Sequence, residues 1–133
     1  MEELDNIIER FKTAKEDYEH FINNLDYTNK DTLTFFETRF NGILADLAFI
    51  AEPMFRLRTI HDDKSTSAKK AIVTKRYGEG EKSFTKCETF AAADEEYTKF
   101  LKDRSIYYSK WELLSQVRNS VEHYLREIAH RLK

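Results

Sequence analysis

The chain has 133 residues, with 22 Lys/Arg against 24 Asp/Glu, 41% hydrophobic and 35% charged. That length suits one domain, and the balance is too apolar for a disordered chain. Three glycines, one proline and one cysteine supply too few turn signals for a β-sandwich or an α/β fold, so the class is all-α, and the lone Cys87 reads as an ordinary thiol of a reducing compartment.

One helical domain over 1–133 is expected: a helical hairpin over 1–60, a basic flexible segment over 61–87, and an oligomerisation helix or helices over 88–133. In the first segment Leu4, Ile7, Phe11, Ala14, Tyr18, Phe21 and Leu25 recur at steps of three and four, a coiled-coil-like seam along one helix face. The turn-formers of Asp26 to Lys30 (DYTNK) end it, and Asn29 or Asp31 is placed to cap the next helix. There Leu33, Phe36, Phe40, Ile43, Leu47, Ile50, Met54 and Leu57 repeat the step with bulkier side chains. Pro53 removes one hydrogen bond inside this run, so a bend near Phe49 to Glu52 is expected without an end to the helix.

From His61 to Cys87 the seam fades. Ile72, Val73 and Tyr77 favour strand on one side of the Gly78-Glu79-Gly80 turn, which allows a short β-hairpin, and a basic helix followed by a loop is equally compatible. Beyond Cys87 no Gly or Pro occurs, and the three-four step runs from Phe90 through Tyr97, Arg104, Tyr107, Trp111, Leu114, Arg118, Val121, Leu125 and Ile128 to Leu132. Unbroken, such a helix would be about 65 Å long, so it must fold back or reach other subunits, with Arg104 and Arg118 as the expected break points. Tyr107, Trp111, Leu114, Val121, Leu125 and Ile128 are the expected oligomerisation contacts.

Charge is unevenly placed. Residues 1–54 carry five Lys/Arg against twelve Asp/Glu, residues 55–86 nine against four, and residues 87–133 eight of each. The middle is therefore a basic island, and its cations interleave with rings, a combination suited to single-stranded nucleic acid because lysine and arginine neutralise phosphates while rings stack on unpaired bases. Lys64, Lys69, Lys70, Lys75, Arg76, Tyr77, Lys82, Phe84 and Lys86 are the candidate DNA-binding residues.

Two other patterns compete. The string RNSVEH places Arg118, Asn119 and His123 in the order of the RNxxxH motif and resembles that of HEPN-domain ribonucleases, which makes RNA cleavage the alternative function. Asp17/His20 and Glu127/His130 have carboxylate-x-x-His spacing, but both pairs flank the seam, so neither a metal nor another cofactor is expected. A helical adaptor without nucleic acid is the second alternative.

Taken whole, the chain resembles the UvsY recombination mediators of tailed phages. The similarity lies in TFAAADEEYTKFLKDRSIYYSKWELLSQVRNSVEHYLREIAHR (Thr89 to Arg131), with a Thr, a small-residue run ending in Asp, an aromatic pair, a Leu-Leu and a late Ile-x-x-His. Upstream, KKAIVTKRYGEGEKSF is similar in character to that family's basic run and glycine-bearing acidic loop. The resemblance implies a non-enzymatic homo-oligomer that binds single-stranded DNA, displaces a single-strand-binding protein and loads a RecA-like recombinase. It also implies a cytoplasmic protein, in the bacterial host cell if phage-encoded. That agrees with an N-terminus lacking a signal-peptide pattern and with uncharged stretches too short to span a bilayer.

Overall fold

The computed structural model describes residues 2–24 and 29–133. Four helices follow in order, α1 (Glu2–Asn24), α2 (Lys30–Gly78), α3 (Phe84–Ala93) and α4 (Glu95–Leu132), and among the described residues there is no strand. The protein is all-α. Leu25 and the start of the DYTNK turn lie outside the described residues. No helix of the described residues is long and apolar enough to cross a membrane.

Contacts group into two compact units, Met1–Glu52 with Glu112–Lys133, and Pro53–Trp111. In the first, both N-terminal seams become core. Leu4, Ile7, Phe11, Ala14, Tyr18 and Phe21 of α1 and Leu33, Phe36, Phe40, Ile43, Leu47 and Ile50 of α2 are buried, together with Leu114, Val117, Val121 and Ile128 of α4. The Tyr124 ring stacks flat on Phe40, with centroids 5.4 Å apart, and meets Tyr18 edge-on at 5.7 Å. Tyr18 also meets Phe36 edge-on at 5.4 Å.

The two tyrosine hydroxyls in this cluster find carboxylates. Tyr18 Oη donates to Glu127 Oε1 at 3.1 Å, and Tyr124 Oη donates to Glu19 Oε1 at 2.8 Å. Arg131 Nε also donates to Glu127, at 3.2 Å. The bonds run in opposite directions between α1 and α4. Outside the core, Arg39 pairs with Asp17 at 2.7 Å and Arg10 with Asp46, contacts of the partly exposed kind worth a few tenths of a kcal/mol up to about 1.

Helix α2 starts on Asn29, whose Oδ1 accepts from the Thr32 amide at 3.1 Å, so Asn29 is the cap of the two candidates. The helix continues through Pro53 to Gly78. The segment after His61 thus takes the helical alternative, and the hairpin does not form. The chain leaves α2 at Gly80, whose φ of 102° suits a residue without Cβ. Ser83 then caps α3 by accepting from the Lys86 amide at 3.3 Å.

The C-terminal run breaks at Asp94, and neither Arg104 nor Arg118 interrupts it. Asp94 has extended backbone (φ −73°, ψ 128°). Its Oδ1 accepts from the Tyr97 amide at 3.0 Å, and its carbonyl accepts from the Thr98 amide at 2.9 Å. Glu95 and Glu96 occupy the first turn of α4, where negative charge complements the free amides. The cap needs no glycine or proline, which is why a search for those breakers passes over it.

In the second unit the buried side chains are mostly small: Met54, Ser65, Cys87 and Ala91. The Ser65 hydroxyl donates back to the Asp62 carbonyl at 2.8 Å, satisfying it within α2. Aromatic and charged contacts supply much of the remaining attachment, as described below.

Two outcomes follow from these contacts. Burial, then the charge and hydrogen bond of Glu127, push the Tyr18 hydroxyl from 10.0 up to about 12. A raised folded-state pKa means that the fold favours the neutral phenol, so this contribution is complete below pH 10 and lost as pH rises from 10 towards 12. Tyr18→Phe should cost about 1–2 kcal/mol near neutral pH, and urea unfolding should show the gap from wild type closing across that alkaline window. Asp94→Ala should cost about 1 kcal/mol and Asp94→Asn much less, read from thermal unfolding by circular dichroism.

Candidate nucleic-acid interface

The basic island lies on the second half of α2, the α2–α3 turn and the start of α3. Its cations point in different directions. At ~100° per residue, Arg58, Lys69 and Arg76 fall within about 20° of one another on one flank of α2, and each is engaged within the second unit. Arg58 places its guanidinium carbon 4.2 Å from the Tyr108 ring centroid and 5.8 Å from that of Phe55. Arg76 sits 4.3 Å over Phe90. Lys69 Nζ is 3.2 Å from a Glu88 oxygen.

Further contacts knit the same flank. Arg104 places its guanidinium carbon 5.2 Å from the same Tyr108 ring centroid and its Nε 3.5 Å from Asp62. Phe55 meets Trp111 edge-on at 5.4 Å, while His61 stacks on Tyr107 at 4.3 Å. A guanidinium held face-on by a ring keeps its in-plane N–H groups available to other acceptors. Arg58 and Arg76 have no carboxylate partner among the described residues, so their charge is held in place without being neutralised.

Lys64, Lys70, Lys75, Lys82 and Lys86 are exposed and have no ion-pair partner among the described residues. Tyr77 and Phe84 present rings that are 52% and 58% exposed. The Tyr77 hydroxyl donates to the Lys82 carbonyl at 3.3 Å, which folds the turn back on the end of α2. Lys75, Tyr77, Lys82, Phe84 and Lys86 thus lie along the end of α2, the turn and the start of α3. Lys64 stands eleven residues up the helix from Lys75, roughly 16 Å along its axis. Lys69 and Arg76 are occupied by Glu88 and Phe90.

On another side of α2, Lys64, Ser67, Ala68 and Ala71 face Asp94, Glu96, Tyr97 and Phe100 across an open groove of about 450 Å³. The two carboxylates there repel phosphate, so the groove does not extend the basic surface. Arg58, Arg104, Tyr108 and Phe90 were not among the expected site residues. Arg58 belongs to the basic island, but its ring partner lies fifty positions away, and no local pattern signals that pairing.

The competing motifs are also placed. Arg118, Asn119 and His123 are exposed on the unbroken α4, and five residues along a helix turn Arg118 and His123 about 140° apart. The recess beside His123 is lined by Phe11, Lys15, Asn119, Ser120 and Tyr124, without Arg118. Asp17 is held by Arg39, while Glu127 accepts from Tyr18 and Arg131, so Glu127 faces inward where an outward position was expected.

Of the expected oligomerisation residues, Leu114, Val121 and Ile128 are fully covered within one chain. Tyr107 and Trp111 are half-buried against His61 and Phe55, and Leu125 is half-buried. The α4 seam is thus largely occupied by intrachain packing. No protein-family model, no curated protein and no solved structure matches the chain, so the reading of this surface rests on its own residues.

Proposed function

We propose that the protein is a non-catalytic, homo-oligomeric recombination mediator that holds single-stranded DNA, displaces a single-strand-binding protein and helps to load a RecA-like recombinase. The observation that carries the reading is the stretch from the end of α2 through its turn to the start of α3, where exposed lysines without ion-pair partners alternate along the chain with two exposed rings, Tyr77 and Phe84. Free ammonium groups neutralise phosphates, and exposed rings accept unpaired bases. Arg58 and Arg76, fixed over rings, add cations that pay little ordering entropy on binding. Each contact is weak, and several copies joined in one assembly multiply them. Exposed apolar side chains elsewhere, Phe35, Phe49, Ile60, Ile106 and Leu113 among them, support assembly because a monomer gains nothing by presenting them to water.

Oligo-dT binding should weaken with salt at a log-log slope of roughly −0.7 per phosphate contact. Changing Lys70, Lys75, Lys82 and Lys86 together to Ala should flatten that slope and reduce affinity for every sequence alike. Tyr77→Ala or Phe84→Ala should cost roughly 1–3 kcal/mol per stacked base lost with the slope unchanged. Binding that ignores salt, or a quadruple variant that binds like wild type, removes this stretch as the site; no binding at low salt leaves a helical adaptor.

The ribonuclease alternative requires Arg118 and His123 to converge. The expected outcome with purified protein is intact RNA. Cleavage that disappears in His123→Ala, with the helical signal preserved, would establish the enzyme instead.

A further inference from the structure

Helix α2 carries a second three-four run that the core does not use. Phe35, Thr38, Gly42, Ala45 and Phe49 succeed one another at steps of three, four, three and four. All five are exposed, and the rings at the two ends are 59% and 83% accessible. At the centre stands a glycine in a helix interior, where alanine would make the helix more stable. A Cβ built on Gly42 meets nothing within 4 Å. Packing within one chain therefore gives no steric reason for glycine there.

We propose that this face docks a second copy of the chain, with α2 of one copy crossing α2 of the other at Gly42 about a two-fold axis. The spacing is self-complementary. Phe35 and Phe49 each lie seven residues from Gly42, so a two-fold axis at the glycine that sets the two helices antiparallel brings Phe35 of one copy opposite Phe49 of the other. Crossing helices approach closest at one point and diverge on either side of it. Small residues suit the closest point, and seven residues away, roughly 10 Å along the axis, the wider gap calls for large ones.

Charge and area favour the same occupant. The charged residues beside the middle of this run, Arg39 and Asp46, are paired within the chain with Asp17 and Arg10, and Asp31 and Glu52 lie beyond its two ends, so the centres of two identical faces meet without like-charge repulsion. At roughly 200 Å² for a whole phenylalanine, the four rings of a pair would cover about 570 Å². That is over half of the roughly 1,000 Å² that a specific interface requires, and the intervening turns supply more.

This inference rests on the homo-oligomeric part of the function proposed above and is independent of DNA binding. It is tested by the molar mass of the full chain in solution at tens of micromolar, measured by light scattering for wild type, Gly42→Leu, Phe49→Ser and, as a control on another exposed apolar position, Leu113→Ser. Gly42→Leu and Phe49→Ser should each lower the mass at least two-fold, while Leu113→Ser keeps the wild-type mass. The helical signal should persist in all, because both test positions are open in the single chain. An oligomeric wild type whose mass neither Gly42→Leu nor Phe49→Ser changes overturns this interface and leaves the homo-oligomer standing. A monomeric wild type overturns both, and DNA binding remains a separate readout.

Discussion

Two phenol groups inside an aromatic cluster govern the first unit. The rings of Tyr18 and Tyr124 fill space around Phe40, and the buried Tyr18 brings its O–H into surroundings where an unsatisfied donor costs about 1–3 kcal/mol. Glu127 on α4 serves Tyr18 of α1, and Glu19 on α1 serves Tyr124 of α4. The two bonds constrain the same sliding coordinate from both helices. Moving α4 by one turn, roughly 5.4 Å, would break both. With that register set, Leu114, Val117, Val121 and Ile128 face inward, and the apolar seam of α4 is consumed within the chain.

The second unit is built differently. Its fully buried side chains are few and mostly small, which limits the apolar area available to hold it. Cation–ring and ring–ring contacts supply attachment in its place, with Arg58 and Arg104 about Tyr108 and Arg76 over Phe90. A salt bridge would also have attached Arg58 and Arg76, as Asp62 does Arg104, but at the expense of their charge as seen by a ligand. Holding them on rings keeps the flank of α2 cationic. The packing of this unit and its electrostatic character thus have one origin.

The formal charge of −2 says little about such a surface. Exposed charges are screened beyond a Debye length of about 8–10 Å at ordinary ionic strength, so a phosphate at the α2–α3 turn responds chiefly to the lysines beside it. The proposed division of labour follows from this: the basic stretch contacts DNA, and the exposed apolar run of α2 contacts another copy. The two surfaces use different physics, one sensitive to salt and the other to shape, and can be altered separately.

Periodicity along the chain was enough to establish an all-helical protein, the buried faces of α1 and of the first half of α2, and a basic island in the middle. These are properties of a single helix: the three-four step places side chains on one face whatever that face later meets. The Asp94 cap was legible in principle, as an aspartate before two glutamates, but it competes with an apolar pattern that runs straight through it. Whether residues 64–86 formed helix or hairpin was open locally, because Ile72, Val73 and Tyr77 suit both. The inward face of α4, the engagement of Arg58 and Arg104 by Tyr108, and the vacancy of the Phe35–Gly42–Phe49 face depended on something no local pattern contains. Each is a consequence of which helix lies beside which and in what register, and that was decided in three dimensions by close packing and by the need of every buried donor for an acceptor.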